Sequence, residues 1–382
     1  AIGHALHKSG MSVGMTTTDG IFVRGVKVES GDTTGPVSAR CILMDPTVEV
    51  AVLETARGGI VKRGLGYDWS DVAVITNIRP DHIGQDGIET LDDIVRIKSL
   101  VAERVREGGT IVLNADDPAL VALTQKKSLA NRKVVYFSLN PENPVLQDHV
   151  QNGGTAYYLG SKGSLFEVSD RLEVQIGHAK DFPMTLGGTA EFQIANLLAA
   201  VAACRAQGMG LESLLLSLMN FVPVQDNGGR ANVFRVGRGV VVVDYGHNAH
   251  AFEAIAQMTS RWPVSRSTAI VAVPGDRADE VIQEAGRVAA RAFDRIIIRD
   301  DLDLRGRKEG EIARLLRQAV SEADPSVDCV ILNDQRIALR KAIEEMIDGE
   351  VVVMFYDDHS VVSEVLEPYG SLPLKDISEI NW

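Results

Sequence analysis

Several short stretches place carboxylate, amide and imidazole groups directly behind apolar runs, where the open ends of an α/β sheet take their ligands. The run 49–53 delivers Glu54-Thr55-Ala56-Arg57-Gly58-Gly59, a carboxylate followed by a Gly-Gly turn that lets a ligand approach the backbone. The run 72–76 delivers Asn77-Ile78-Arg79-Pro80-Asp81-His82, an amide, a carboxylate and an imidazole within six residues. The helical pattern that follows carries Lys98 among apolar neighbours, and the next run ends in Asn114-Ala115-Asp116-Asp117-Pro118. Hard donors of this kind suit Mg2+ bridging phosphate oxygens. Taken singly, each has an ordinary use: Glu54 as a helix cap, Asp116-Asp117-Pro118 as a helix start, His82 as a structural imidazole. Glu54, Asn77 and His82 on neighbouring strands, with Lys98 one helix later, together point to chemistry.

Positioning these groups requires α/β architecture. Residues 13–17, 39–44, 49–53, 72–76 and 110–113 read as strands that are apolar on both faces, as in a parallel sheet covered by helices. A helix over 90–106 puts Leu91, Ile94, Ile97, Val101 and Val105 on one face and leaves Glu103 and Arg104 to water. Residues 134–182, rich in Gly and Asn with short alternating runs, read as appended antiparallel hairpins. A helix over 192–206 with a nearly continuous Ala/Leu/Val face follows. Residues 222–229, with Pro, Asn and two Gly, have the composition of a connector. Beyond it, strands over 240–244, 268–273, 295–299, 329–332 and 351–355 alternate with helices, a doubly wound sheet of about five strands. The expected organisation is a central domain over 1–221 with a β-rich insert near 134–182, a linker over 222–229, and a second, Rossmann-like domain over 230–382.

Composition removes whole classes of function. The 382 residues carry 39 basic against 52 acidic side chains, a net charge of −13 with no basic block, so no nucleic-acid footprint is expected. The longest apolar runs fall far short of the roughly 20 residues a membrane span needs, and a cytoplasmic address is expected. Cys41, Cys204 and Cys329 lack CxxC spacing and read as reduced core thiols. Residues 1–8 read as the second half of a helix, with neither an initiator Met nor a capping residue ahead of them.

The stretches 48–59, 76–84, 97–118, 185–203 and 229–248 resemble the Mur ligase superfamily. Within it, Thr16-Thr17-Thr18-Asp19-Gly20, Gly31-Asp32-Thr33-Thr34-Gly35-Pro36 and Glu54-Thr55-Ala56-Arg57-Gly58-Gly59 are similar to the cyanophycin synthetase family. The resemblance implies a central domain with a mostly parallel sheet, a second doubly wound α/β domain, and ATP and Mg2+ as cofactors. It implies that an acid is phosphorylated by ATP to an acyl phosphate, which an amine attacks. Glu54 and His82 match metal-holding positions, and Lys98 matches a lysine that is carbamylated in many Mur ligases. Asn77 and Asp81 belong to the same strand-end motif. Asn196 matches a nucleotide-base contact; Arg230 and Asp244 match second-domain residues that close on phosphates and ribose, and His247 extends that motif. Lys98, His82 and Arg230 are the catalytic candidates. The amine implied is arginine, added to an aspartate side chain of the polymer cyanophycin. Thr17 and Thr18 are candidate substrate residues, as are Asp276, Asp301 and Asp303, which follow second-domain strands and could grip a guanidinium in forked geometry.

Leu302, Leu304, Ala278 and Gly246-His247-Asn248-Ala249 depart from the family pattern, which bears on the amine more than on the fold. The larger departure is the phosphate loop: no GxxxxGK[ST] occurs in the sequence, and with it would come the backbone N–H groups and lysine that hold nucleotide phosphates. That loop is expected upstream of residue 1, together with the ATP-grasp half of such an enzyme, and a homo-oligomer is expected. Two other readings stand beside the ligase: a degenerate Mur-like half of an enzyme joining β-aspartyl-arginine dipeptides, and a polymer-binding or oligomerisation module.

Overall fold

The computed structural model describes residues 1–80, 87–375 and 377–380. The chain divides into two units, 1–188 with 192–221, and 189–191 with 222–382.

The first unit holds two sheets. In the smaller, the order is Val26–Ser30, Gly20–Val23, Val13–Thr17, Val50–Leu53; Val13–Thr17 pairs in parallel with Val50–Leu53, and the other pairs are antiparallel. In the larger, the order is Leu172–His178, Ser164–Ser169, Thr155–Leu159, Lys133–Ser138, Val105–Asn114, Ser70–Ile75. Its last four members in that order run parallel, while Ser164–Ser169 pairs antiparallel with both Leu172–His178 and Thr155–Leu159. Residues 134–182 are therefore not an appended set of hairpins. Lys133–Ser138 and Thr155–Leu159 extend the parallel sheet around the helix Pro144–Gln151.

Helix Glu191–Ala206 explains how the two sheets share a layer. Ile194, Leu197, Leu198 and Val201 pack in one core with Leu6, Val13, Val112 and Phe137, and with the partly buried Val50, Val52, Val72 and Val74. The opposite face of the larger sheet, through Ile75, Ile111, Leu113 and Tyr158, packs with Ile94, Ala102, Leu120 and Leu146 of the covering helices. Apolar side chains on both faces of the central strands are what this sandwich demands.

One expected strand is a helix. Residues 39–44 lie in Pro36–Met44, where Pro36, Ala39 and Ile42 are buried at three-residue intervals while Leu43 and Met44 are exposed. Pro36 sits at the first turn, where its fixed φ and missing N–H favour helix initiation, and Ala, Arg, Leu and Met outweigh one β-branched Ile. Exposure of Cys41 on this helix corrects its reading as a core thiol; Cys204 is buried. The helix expected over 90–106 ends at Glu103, and Val105 opens the next strand. Glu103 does not merely face water: it accepts from Lys126 at 2.9 Å and Ser99 at 3.1 Å.

The second unit is one seven-stranded sheet, ordered Asp328–Ile331, Arg295–Ile298, Arg266–Val271, Glu350–Phe355, Gly239–Asp244, Asn232–Val236, Leu372–Pro373. The first five are parallel. Ala338, Leu339 and Val362 pack on one face with Val241, Val243, Ile270 and Val352. Residues 222–229 contain the short helix Pro223–Asp226. No described helix is long and apolar enough to cross a membrane.

Candidate functional site

At the carboxyl end of the smaller sheet three loops meet. Strand Val50–Leu53 hands on to Glu54, whose N–H donates to the Thr16 carbonyl at 3.1 Å, continuing the parallel ladder. Glu54 is exposed, and its carboxylate accepts from the Thr18 N–H at 3.2 Å and the Thr18 hydroxyl at 3.4 Å. Thr17 belongs to the same turn: its hydroxyl accepts from Asp19 N–H at 3.0 Å. Thr33 donates from its hydroxyl to the Thr17 carbonyl at 2.7 Å, and Thr34 donates its hydroxyl to Asp32 at 2.6 Å. The Ala56 N–H reaches the Thr34 carbonyl at 3.4 Å. Residues 16–19, 32–35 and 54–56, separate in sequence, are thus one hydrogen-bonded surface.

The larger sheet supplies a second strand end. Strand Ser70–Ile75 leads into Thr76, Asn77 and Ile78, and two side chains from the next strand's end pin this turn. Asn114 donates its amide to the Thr76 carbonyl at 3.1 Å, and the buried Asp117 accepts from the Ile78 N–H at 2.7 Å. Asn77 is exposed between them. Its carbonyl accepts from the Lys98 ammonium at 3.4 Å, so Lys98 reaches this strand end and not the far side of its helix. The helix holding Lys98, Leu91–Glu103, begins with a reciprocal cap in which Thr90 accepts from Asp93 N–H and Asp93 accepts from Thr90 N–H.

Three expectations change here. Glu54 and Asn77 do not lie at the ends of one sheet: their strands belong to two sheets that share a core. Asp117 is consumed by the Ile78 turn and by capping helix Pro118–Leu123. Asp116 accepts from Ser138 at 2.6 Å, Leu139 N–H at 2.7 Å and Asn143 at 2.9 Å, so its carboxylate braces the end of the neighbouring strand. Asp81 and His82 lie outside the described residues. Among the described residues, no group of three His, Cys, Asp or Glu side chains is arranged to hold an ion. Glu54, with the Thr18 hydroxyl beside it, nonetheless fits Mg2+, which binds through one or two carboxylates and takes its other oxygens from phosphate and water. Asn196 is exposed on helix Glu191–Ala206, its amide donating to Gln193 at 3.2 Å.

In the second unit, the end of Gly239–Asp244 gathers another set. The Arg230 guanidinium lies 4.8 Å from the Tyr245 ring centroid, a cation–π contact, and the His247 ring stands edge-on to Tyr245 at 5.3 Å. Asp244 is buried and accepts from the Ala231 N–H at 2.8 Å and the Gly246 N–H at 2.7 Å. Burial raises its carboxyl above the ordinary range, opposed by those N–H groups and by the charges of Arg230 and His247. Position 246 must be glycine, since a Cβ there would come 2.9 Å from the Asp244 carboxylate and 2.5 Å from Ala251 Cβ. Gly229, at φ +73°, packs its backbone on Tyr356. Tyr356 continues the aromatic line, 5.6 Å from Tyr245 and 5.2 Å from His359. Sequence reasoning named Arg230 and His247 but missed the platform between them, Tyr245; an aromatic directly after a strand-end aspartate was the available signal.

At the ends of Arg266–Val271 and Arg295–Ile298 the acidic candidates separate. Asp276 is already gripped, by Arg277 at 2.8 Å and Arg305 at 2.7 Å, which corrects its reading as an open guanidinium acceptor. Burial alone would raise its carboxyl, but the Arg305 bond and both charges hold it below the ordinary range. Asp301 is half-buried and accepts from the Asp303 N–H at 2.9 Å. Burial and the Asp357 charge push its carboxyl up. Asp303 is largely exposed, 3.9 Å from the Arg305 guanidinium.

Two successive α/β units with polar groups gathered at strand ends have the architecture of two-unit ligases. The bifunctional folylpolyglutamate synthase/dihydrofolate synthase from Yersinia pestis, solved with AMPPNP and Mn ion, aligns with TM-score 0.65 at 17% identity, covering 96% of this chain and 84% of that one. The MurF ligase from Thermotoga maritima, solved with ADP, aligns with TM-score 0.62 at 20% identity, covering 96% and 76%. The chain belongs to the Mur ligase family: the Mur ligase middle domain matches residues 2–204, and the Mur ligase, glutamate ligase domain matches 229–355. It is 41% identical over 368 residues to the cyanophycin synthetase of Synechocystis sp., covering 96% of this chain and 42% of that protein. The chain thus spans about two fifths of the length of the cyanophycin synthetases it matches.

Proposed function

We propose that the chain forms the Mur-like part of an ATP-dependent amide ligase of cyanophycin synthesis. The observation that carries this is the surface made by residues 16–19, 32–35 and 54–56. It combines a carboxylate, hydroxyls and main-chain N–H groups at one sheet end, and its sequence is that of the loops similar to cyanophycin synthetase. In the reaction, an aspartate side-chain carboxylate oxygen attacks the γ-phosphorus of ATP and ADP leaves. The arginine amine then attacks the acyl carbon, phosphate leaves, and the nitrogen gives up a proton.

Each residue has a physical task in that scheme. Glu54 and His82 would hold Mg2+, which would supply neutralisation of phosphate charge. The Lys98 ammonium, or its carbamate, acts from the Asn77 turn, which Asn114 and Asp117 keep in place. Arg230, preoriented on Tyr245, brings a cation to phosphate oxygens, where a fixed charge costs no reorganisation as negative charge develops. In the first unit Asn196 serves the nucleoside base and Thr17 and Thr18 the polymer end; in the second, Asp244 and His247 are the nucleotide candidates. Asp301 and Asp303 meet the amine substrate's cation.

The test supplies the phosphate loop by joining this chain to the amino-terminal portion of the Synechocystis enzyme. ADP and phosphate should be released only when ATP, Mg2+, an aspartate-backbone acceptor and arginine are all present. Release that ignores arginine would overturn the amine assignment. Binding of the polymer with no release under any combination would favour the non-catalytic module.

A further inference from the structure

We propose that Arg299 and Asp357 are a positioning pair that fixes the loop 300–305 so that Asp301 meets the amine substrate. This rests on the reading of that loop as the amine site. Arg299, directly after strand Arg295–Ile298, is 1% exposed. Its guanidinium donates to both oxygens of Asp357, one at 2.9 Å, and to the carbonyls of Phe355 at 2.8 Å and Asp300 at 3.2 Å. Asp357 also accepts from the Leu302 N–H at 3.1 Å, and its own N–H donates to Gln335 at 2.9 Å. Asp300 turns inward, accepting from Gly310 N–H at 2.5 Å and Ala313 N–H at 3.1 Å at the start of helix Glu311–Ala323. Asp301 is therefore suspended between two tethered residues.

An ion pair taken out of water is a costly way to hold a fold together, and apolar side chains of similar volume often do as well or better. What such a pair offers is direction: a planar fork fixes carbonyls and a carboxylate at set angles, which packing does not. The charged groups around Asp301 are Asp357 from the end of strand Glu350–Phe355, Asp303 and Arg305 from its own loop, and Arg299. The same pair thus sets both the place and the electrostatic surroundings of Asp301.

The joined protein described above tests this. Arg299→Lys keeps the charge and loses the fork; Asp357→Asn keeps the shape and loses the charge. Both should raise the arginine KM about tenfold while the ATP KM stays within about twofold, the split expected when a group that binds only one substrate is misplaced. The double variant Arg299→Met with Asp357→Leu preserves buried volume and should keep the arginine defect even where its melting temperature matches or exceeds that of the parent. A wild-type arginine KM in that folded variant would reduce the pair to packing and overturn the proposal. On the chain alone, carboxyl 13C NMR should show Asp301 titrating at lower pH in Asp357→Asn. If the parent shows no arginine-dependent turnover, the functional reading fails by itself, and an unmoved Asp301 titration then overturns the positioning pair independently.

Discussion

The strand ends of the two units engage their carboxylates through different groups. At the carboxyl end of the smaller sheet, Glu54 is met by the N–H and hydroxyl of Thr18, and Thr33 and Thr34 add further hydroxyls nearby. At the carboxyl end of the second unit, several carboxylates are met by guanidinium groups: Asp276 by Arg277 and Arg305, Asp357 by Arg299, Asp279 and Glu311 by Arg307. A carboxylate already paired to an arginine is largely neutralised by its own chain. An aspartate after a strand is therefore not a candidate binder by position alone. Within the second unit the contrast repeats between Asp276, gripped twice, and Asp301, whose carboxylate accepts from a peptide N–H.

The sharpest way to break this contrast is Glu54→Gln, which keeps size and removes charge. In the joined protein it should reduce arginine-dependent ADP release by about a hundredfold or more, as expected for loss of a group that stabilises transition-state charge. Urea unfolding should move by no more than about 0.5 kcal/mol, the usual range for an exposed site. Near-normal turnover would show that Glu54 is a surface carboxylate. Next in size is Asp117→Ala, which removes a helix cap and leaves the Ile78 N–H without its acceptor. It should cost about 2–4 kcal/mol in the same unfolding measurement, the sum of a missing cap and an unpaired buried donor. If activity also falls in preparations that remain folded, the Asn77 turn matters to the reaction as well as to the fold.

The second-unit contrast gives a smaller effect. Asp301→Asn should raise the arginine KM about tenfold, because it removes a charge-assisted hydrogen bond to the substrate, while Asp276→Asn leaves it within about twofold. The reverse order would mean that Arg305 yields Asp276 to the substrate. The smallest effect is a pair of opposite pH dependences. Asp276 is held below its ordinary pKa of 3.8, so its ionised form stabilises the fold above that pH and the benefit disappears as pH falls below it. Asp301 lies above its ordinary 3.8, so its contribution is most favourable below that pH and is lost as pH rises through its elevated value. Asp276→Asn should accordingly lower the urea midpoint relative to the parent near neutrality, with the difference closing on acidification. Asp301→Asn should raise it near neutrality, again converging in acid; differences of the same sign for the two variants would contradict the pairing seen in the fold.

Much of this architecture is legible in the residues themselves. All five parallel strands of the second unit are visible because each is a continuous apolar run, such as Val240–Val243 and Val351–Phe355, flanked by polar turns, the pattern a doubly covered sheet imposes. Helix Pro36–Met44 misled because the six residues 39–44, mostly apolar around Arg40, are too few for periodicity to separate helix from strand. The hairpin Gly20–Val23 with Val26–Ser30 escaped notice for a related reason: its outer strand is exposed throughout and carries no buried alternation.

The sequence by itself determined the two α/β units and which residues stand behind strands, since side-chain polarity and local backbone preference are written residue by residue. Glu54, Asn77 and Asp301 stand directly behind strands and were identifiable on that basis, whereas Arg230 and Asp244 were named through the family resemblance. Tertiary structure alone decided what each polar group meets. Asp116 and Asp117 became scaffolding because Ser138, Asn143 and the Ile78 turn lie within hydrogen-bond reach, and Asp276 was neutralised by Arg305, 29 residues further along the chain. Whether a charge remains available depends on distances of about 3 Å between segments remote in sequence, and those distances exist only once the sheets and their covering helices have packed.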